Sequence, residues 1–587
     1  MSFNIIGISA LYHDSACCLI QDGKLVSAVQ EERFTRIKND SSIPVNAFKY
    51  CLDSANLTIA DIDCIAYYEI PEKKLARQIW SGYDIEKEEL TGRMDPFRPE
   101  KEIRNKLGFS GKIEYVKHHL SHAASSFYFS GFNEAAIMTI DGVGEWDTTT
   151  YGFGNEGGIT LLDNVSFPDS LGLLYSTITS YLGFSVNSGE FKVMGLSPYG
   201  ESKYVDKIRK LIRRESKGQY SLDMKYFEFI SGQRMYSQEL IDLFGYPPRV
   251  KESNITQFHK DIAKSLQLVL EEVLLEKVNY LYSITDTENL CLAGGVALNC
   301  VANGKILQNG PFKNLFVQPA ANDAGCCLGA AVIAHNRLSN NQIKPKELKH
   351  VYLGPKYEYN EIKKLLEATS LKYDDYYGDT ESLLKETAKL IFQGKVIGWF
   401  QGRMEFGPRA LGSRSILADP RSEIMRDLIN SMVKKREGFR PFAPAVIESK
   451  AQDHFDLEGN SPFMLRTCQV QSPISLPAIT HVDGSARVQT VDEESNPRFL
   501  SLIEEFERQT DCPILLNTSF NVRGEPIVMS PYDAISCFIN TKIDCLILDD
   551  FIIERSKNSM SLMKLVINNL REIEKNVNVS DNVYTFI

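Results

Sequence analysis

The 587-residue chain has no run of 18 or more apolar residues, so nothing in it reads as a transmembrane helix. Its first residues, MSFNIIGISALYHDSACC, lack the basic segment of a signal peptide, and the apolar letters read as a strand. The twelve cysteines are scattered and form no CxxC pair; Cys17–Cys18 and Cys326–Cys327 are doublets. That pattern excludes zinc ribbons and thioredoxin-like sites and leaves reduced core thiols as the plain reading. Neither a G-x-x-x-x-G-K-[ST] loop nor a G-x-S-x-G elbow is present, which removes P-loop NTPases and serine hydrolases of the usual kinds. Positive charge is in deficit: 65 Lys and Arg against 76 Asp and Glu leave −11, with no basic stripe for nucleic acid. What remains is ordinary globular composition, 43% hydrophobic and 24% charged, at a length suited to three or four units. The expectation is a soluble cytoplasmic α/β enzyme that binds neither nucleic acid nor membrane.

Residues 3–30 predict three short strands: one begun by Ile5, Ile6 and Ile8, then Ala16 to Ile20, then Leu25 to Val29 after an Asp22-Gly23 turn. A similar string recurs over 134–163, from AAIMTIDGVGEW through TTTYGFGNEG to GITLLD. GFGNEG matches G-x-G-x-x-G formally, but strand-like sequence flanks it and no helix follows, so it predicts a hairpin. Two such copies across a cleft suit an actin- or sugar-kinase-like duplicated α/β lobe. Phe258, Ile262, Leu266, Val269, Leu270 and Val273 recur at helical spacing, predicting an amphipathic helix over 257–286. The polar segment 338–350, with Pro345, is the best linker. Beyond it come a helix over 382–394, strand 395–400, a buried strand from Cys512, and a final helix with a polar tail. Two lobes are expected, 1–345 and 357–570, followed by a tail over 571–587.

Three of nine histidines fall in KHHLSHAAS. On a helix His118 and His122 share one face, the geometry of a histidine clamp on a divalent metal. Asp141 ends the apolar strand AIMTID, and Asp323 lies where small residues crowd a turn before a helix. Two imidazoles and two carboxylates suit Fe(II), Mn(II) or Zn(II) better than calcium; a surface His cluster capping a helix end is the plainer alternative. Gly294-Gly295-Val296-Ala297-Leu298-Asn299 would place backbone N–H groups at a helix N-terminus, an anion site, unless the pair only shapes a tight turn. The densest basic strings lie later: QGRMEFGPRALGSRSILADPR over 401–421 and VKKREGFRPFAPAV over 433–446, with Arg487 and Arg523 beyond. Guanidinium forks beside Gly and Pro turns suit a polyanion pocket. Solvated charge is the alternative for Arg421 and Arg426.

These strings resemble the NodU/CmcH family of O-carbamoyltransferases, over nearly the whole chain. The resemblance runs from SALYHDSACCL and EERFTRIK through KHHLSHAAS, GEFKVMGLSPYG, LAGGVALN and NDAGCCLGAA to GRMEFGPRALGSRSILADPR, KREGFRPFAPAV, HVDGSARVQTV and LNTSFNVRGEPIV. It implies an actin/sugar-kinase-like N-terminal lobe, similar to threonylcarbamoyltransferases, and a C-terminal YrdC-like α/β lobe. The second lobe would make carbamoyl adenylate from carbamoyl phosphate and ATP with Mg2+, and the first would transfer the carbamoyl group to a small-molecule hydroxyl. Carried over residue by residue, the metal ligands would be His118, His122, Asp141 and Asp323, with Fe2+ favoured. Catalytic roles would fall to His13, Lys38 and Asp223, with His13 as the general base. Glu190, Lys192, Gly294, Gly295 and Asn299 would hold the adenylate. Arg403, Arg409, Arg414, Lys434, Arg436, Arg487, Asn517 and Arg523 would hold carbamoyl phosphate and the ATP phosphates; KKRE allows Lys434 or Lys435, and Lys434 is favoured. The half-reactions are expected to separate by lobe, and a homodimer is an expected assembly. Transfer to tRNA and a non-catalytic metal- or ATP-binding regulator are the rival readings.

Overall fold

The computed structural model describes residues 2–82, 92, 94–230, 234–339, 342–434 and 437–559. The fold is mixed α/β. Its first sheet has the order β3-β2-β1-β4-β5, made by β1 (Asn4–Ser9), β2 (Ala16–Gln21), β3 (Lys24–Gln30), β4 (Cys64–Tyr67) and β5 (Lys112–Tyr115). Strands β1 to β3 form an antiparallel meander, while β4 and β5 add in parallel on the other side of β1. The predicted Asp22-Gly23 turn joins β2 to β3, with Asp22 at φ 49° and Gly23 at φ 77°.

A second sheet repeats that plan. It holds β6 (Ala135–Ile140), β7 (Asp147–Asn155), β8 (Gly158–Ser166), β11 (Asn289–Ala293) and β12 (Asn314–Val317) in the order β12-β11-β6-β7-β8. The short ribbon β9 (Ile212–Arg214) and β10 (Tyr220–Leu222) intervenes in the chain. Pairing polarities match those of the first sheet strand for strand, so the repeat read at 3–30 and 134–163 is a duplicated topology. The GFGNEG string is the β7–β8 hairpin, as its flanks predict. Four helices position the site: α1 (Pro71–Trp80), α2 (His118–Phe127), α3 (Gln257–Thr285) and α4 (Asp323–Leu338).

The remaining strands are β13 (Asp374–Asp375), β14 (Ile397–Phe400), β15 (Arg414–Ala418), β16 (Ala443–Ile447), β17 (Thr467–Gln469), β18 (Ser485–Arg487), β19 (Gln489–Val491), β20 (Ile514–Ser519), β21 (Cys545–Leu548) and β22 (Phe551–Glu554). Eight of them form one mixed sheet, β13-β22-β21-β14-β15-β20-β16-β19, with its own buried core around Trp399, Phe455, Phe499 and Phe506. All twelve cysteines are free and buried, in line with the core-thiol reading. Among the described residues no helix is long and apolar enough to cross a membrane. The tail expected over 571–587 lies outside the described residues.

Helix α4 explains how the site can be assembled so deeply. Its sequence DAGCCLGAAVIA is nearly all small or apolar, and every residue from Asp323 to His335 is buried. A Cβ on Gly329 would fall inside contact distance of the Ser121 carbonyl of α2, and one on Gly7 would do the same to the Cys327 carbonyl of α4. Helix α4 therefore touches α2 and β1 backbone to backbone, which only glycine permits at these points. We predict that Gly329→Ala costs about 1–3 kcal/mol, as overpacking of a tight core does, and lowers the melting temperature. Because α4 carries Asp323 and α2 carries His118 and His122, the variant should also bind divalent metal more weakly; unchanged melting and metal content would refute the packing argument.

Candidate functional site

Helix α2 begins at His118, whose backbone N–H donates to both Glu145 carboxylate oxygens at 3.0 and 3.2 Å. Glu145 thereby caps the helix where no local side chain does, and fixes the direction in which His118 and His122 project. Asp141 follows β6, and Asp323 opens α4. Their ligating atoms converge. His118 Nε2 lies 3.3 Å from Asp141 Oδ2 and 3.8 Å from Asp323 Oδ1; His122 Nε2 lies 3.9 and 3.7 Å from the same two atoms. Four donors placed about 2.0–2.2 Å from one ion stand at such separations.

All four residues are buried, and several of their polar atoms have no hydrogen-bond partner: Nδ1 of His118, both ring nitrogens of His122 and both carboxylate oxygens of Asp323. Buried polar atoms left unpaired are costly, so this donor set fits a divalent cation. Cys326 also comes near the two imidazoles. His119 is different: its Nδ1 bonds Thr139 Oγ1 at 2.6 Å, and burial drives its pKa well below the usual histidine value. It is a neutral core residue.

Electrostatics here follow from the two carboxylates. Burial disfavours a charged ring at His118 and at His13, but Asp323, with Asp141 beside His118 and Asp14 beside His13, outweighs it. The pKa of His118 rises to about 9 and that of His13 to about 10. Burial likewise opposes charge on Asp141 and Asp323, yet the neighbouring imidazoles hold both below the ordinary carboxylate range. His13 lies in the loop after β1, bonded through Nδ1 to Asp14 at 2.9 Å, with Nε2 3.8 Å from Asp323 Oδ2. It thus adjoins the quartet, but as an imidazolium rather than the neutral base expected from sequence.

The quartet's Asp141 and His13 line a cavity of about 870 Å³ whose walls come from both halves of the chain. From the first 300 residues come Lys38, Arg77, Gly295 and Asn299, among others; from the last 200 come Arg409, Lys434, Arg440 and Arg523. Ten Lys and Arg line it against six Asp and Glu, a local reversal of the chain's charge balance. The expected separation into two sites, one per lobe, does not describe this geometry: both groups of residues face one cavity.

Several residues expected in the site are there with other partners. Gly294 takes φ 91° and leaves no room for a Cβ beside Ile140, while the Gly295 N–H donates to Asp141 Oδ1 at 2.8 Å. The anion at this turn is thus the protein's own ligand carboxylate. A 3-10 turn over Gly295–Leu298 precedes the helix, and Asn299 caps that helix at Ala302 N while pairing with Gln267. Glu190 accepts from Ser176, Asn187 and Gly189 at the start of its own helix. Lys192 reaches across the cavity to Glu437 at 3.0 Å, and Arg523 pairs with Glu252. Lys38 lies over the Phe191 ring at 5.9 Å.

Other expected residues sit elsewhere. Arg403 is a clasp, donating to the carbonyls of Val26, Leu353 and Gly354 and to Tyr50 Oη. Arg414 is wholly buried, donates to the carbonyls of Gln401, Gly402, Ser413 and Pro355, and stacks on Phe400 at 3.6 Å. With their donors taken by backbone oxygens, neither belongs to the polyanion set. Asp223 pairs with Lys225 at 3.1 Å and is absent from the cavity wall, so the expected assistance to His13 has no contact behind it. Asn517 is buried in the large sheet against Gln489. Arg487 lies behind the wall, and its charge helps push the pKa of Arg409 down to about 9 and that of Arg440 to about 10, after burial. Lys434 bonds Ser519 and Asn521. Arg436 and Lys435 lie outside the described residues. Sequence reading missed Arg77 and Tyr12 as site residues, and placed Arg440 only within the basic string 433–446; only the helical spacing of Lys74, Arg77, Gln78 and Ser81 could have pointed to the first.

Comparison with known proteins gives a consistent result. The family profile described as "Carbamoyltransferase N-terminus" matches residues 4–332, and "Carbamoyltransferase C-terminus" matches residues 388–555. An uncharacterized protein of Synechocystis sp. is 45% identical, over 94% of this chain and 97% of its own. Nodulation protein NolNO of Sinorhizobium fredii is 39% identical over 92% of this chain and 79% of its own. Among solved structures, component A of the Acidaminococcus fermentans (R)-2-hydroxyglutaryl-CoA dehydratase covers 57% of this chain and 98% of its own, at 14% identity and a TM-score of 0.30.

Metal binding should be proton-linked. A cation on His118 must displace the proton that its pKa of about 9 retains at neutral pH, so affinity should rise with pH up to about 9 and flatten above it, by about tenfold per pH unit for each proton displaced. Calorimetric titration at pH 7 in buffers of differing ionisation heat should show proton release, and His118→Ala should lose most of the bound metal. Release of no proton, or wild-type metal content in the variant, would contradict the assignment.

Proposed function

The chain belongs to the carbamoyltransferase family, and from that premise we propose that it is an ATP-dependent O-carbamoyltransferase. Water hydrolyses carbamoyl phosphate to carbamate and phosphate, and a carbamate oxygen then attacks the α-phosphorus of ATP, whose bond to the β-phosphate oxygen breaks, to give carbamoyl adenylate and pyrophosphate. An acceptor hydroxyl of a small molecule then attacks the carbamoyl carbon, and AMP leaves with the bonding electrons. We assign residues 1–345 to transfer, on an actin/sugar-kinase-like duplicated lobe, and 357–570 to a YrdC-like adenylate-forming lobe. The equal order and polarity of the two N-terminal sheets supports the first assignment.

The observation that carries the proposal is the shared cavity. Arg409 and Arg440 line it together with Asp141 and His13, so an adenylate made against the guanidinium groups need not cross open solvent to be consumed. Arg409 suits the first step because its Nε has no hydrogen-bond partner and its surroundings include Arg440 and Arg487 rather than a counter-carboxylate. Buried guanidinium groups held close together are relieved by a bound polyanion. Lys192 and Arg523 can exchange Glu437 and Glu252 for phosphate oxygens. A divalent cation on His118, His122, Asp141 and Asp323, when bound, supplies charge to a phosphate and polarises a carbonyl. His13 accepts the acceptor's proton at its Nε2 once Asp323 no longer stabilises its charged form, and Asp14 holds Nδ1 so that the ring keeps its orientation.

Removing a charge-assisted contact of this kind costs roughly 1.5–3 kcal/mol. Arg409→Met should therefore slow carbamoyl-phosphate-dependent pyrophosphate release about 10- to 150-fold. His13→Asn should still release pyrophosphate but leave acceptors unmodified, as read by mass spectrometry. Wild-type transfer by His13→Asn would remove His13 as the base, and a wild-type protein that releases no pyrophosphate would refute the reaction itself.

A further inference from the structure

Among the basic residues of the cavity, Arg77 has a role in nothing described above. Helix α1 turns a polar stripe toward the cavity: Lys74, Arg77, Gln78 and Ser81 all line it, at the spacing of one helical face. Lys74 is already matched, 2.7 Å from Glu69, with its ammonium 5.0 Å from the Tyr12 ring. Arg77 is not. It is only 9% exposed, its Nε has no partner, and among the described residues no carboxylate and no carbonyl accepts from its guanidinium. Its guanidinium lies 5.4 Å from the Phe167 ring, which also lines the cavity.

A guanidinium so buried is normally paired. The charge of Arg77 faces the cavity instead, beside an aromatic wall formed by Phe167 and Phe229. Its position is fixed relative to the quartet, because the Glu145 carboxylate that caps α2 at His118 also accepts from the Ile70 N–H at the start of α1, at 2.8 Å. Tyr12 links the same wall to the reacting end: its ring lies 4.6 Å from that of His13, and Lys74 sits over it. Among the described residues Arg77 has no carboxylate partner, and it belongs to the His13 side of the cavity, with Arg409 and Arg440 contributed by the other half of the chain.

We propose that Arg77 is an oxyanion-binding residue of the acceptor subsite: the acceptor carries a carboxylate or phosphate group near the hydroxyl that is carbamoylated, on a scaffold with an apolar face that lies against Phe167. This rests on the carbamoyl-transfer reading for the word acceptor, but not for the anion site itself. Its test therefore uses neither carbamoyl phosphate nor turnover, and a failure of pyrophosphate release leaves it standing or falling by itself.

The full-length protein is titrated calorimetrically with benzoate, phenyl phosphate and neutral benzamide. Wild type should bind one of the two anions about tenfold or more tighter than benzamide, as a charge-assisted fork on an aromatic anion gives, and Arg77→Met should bring the ligands within about twofold. The tighter of benzoate and phenyl phosphate names the group. Arg77→Lys, which keeps the charge and loses the planar fork, should fall between wild type and Arg77→Met, and it decides the matter if the Met variant does not fold. Equal binding of charged and neutral ligands by wild type, or an unchanged preference in the folded variants, would overturn the proposal.

Discussion

The ligating atoms of two carboxylates and two imidazoles, all on buried residues, have been brought within 4.8 Å of one another, and that arrangement is stabilised by positive charge at its centre. In the cation-free protein the charge comes from protons: His118 and His13 hold theirs well above the usual histidine range because Asp141 and Asp323 stay ionised beside them. A divalent cation and these protons are therefore alternatives for the same electrostatic role. The base function of His13 depends on which is present, since an imidazolium cannot accept a proton. Everything nearby serves this balance: the glycines that let α4 reach α2, Glu145 at the start of α2, and the Gly295 N–H on Asp141.

How much of this could be read from sequence depended on whether a local rule decided the outcome. The His118/His122 pair was legible because helical spacing alone puts both rings on one face. The repeat was legible because a period-2 pattern with Asp-Gly and Gly-rich turns defines a meander without reference to the rest of the fold. Arginine was not legible in the same way. Arg403 and Arg414 share the Gly-rich string of Arg409, and nothing local says that the first two meet backbone carbonyls while the third meets open cavity. A guanidinium donates equally well to a carbonyl and to a phosphate; the partner is chosen by tertiary packing. Asn299 shows the same limit: it lines the cavity, but its amide is also engaged by a helix cap and by Gln267, which its place after Gly-Gly did not foretell.

The junction of the two halves adds a constraint of its own. Arg33 donates to the Gly407 carbonyl at 2.7 Å, Arg36 to the carbonyls of Pro526 and Ile527, and Asn303 to that of Leu465. These bonds use backbone acceptors, which do not titrate and do not compete with a phosphate ligand. Over the cavity itself the bridging pairs are ionic: Lys192 with Glu437, and Arg523 with Glu252. The joint is thus held by neutral backbone acceptors and by carboxylates, with Arg36 using both through its contact with Asp533.

That division bears on how a cavity with ten cationic and six acidic residues stays folded when empty. Burial first, and repulsion from neighbouring guanidinium groups after it, lowers the pKa of Arg409 to about 9 and that of Arg440 to about 10. Glu437 relieves part of the repulsion: it lies 3.0 Å from Lys192 and 3.9 Å from both Arg440 and Arg523. Against the effect of burial, a backbone hydrogen bond together with Lys192 and Arg440 holds it below the ordinary carboxylate range. A polyphosphate entering the cavity offers the same cations several oxygens at once, with more charge than one carboxylate carries. Glu437 thus stands as a resident counter-ion to Lys192, Arg440 and Arg523.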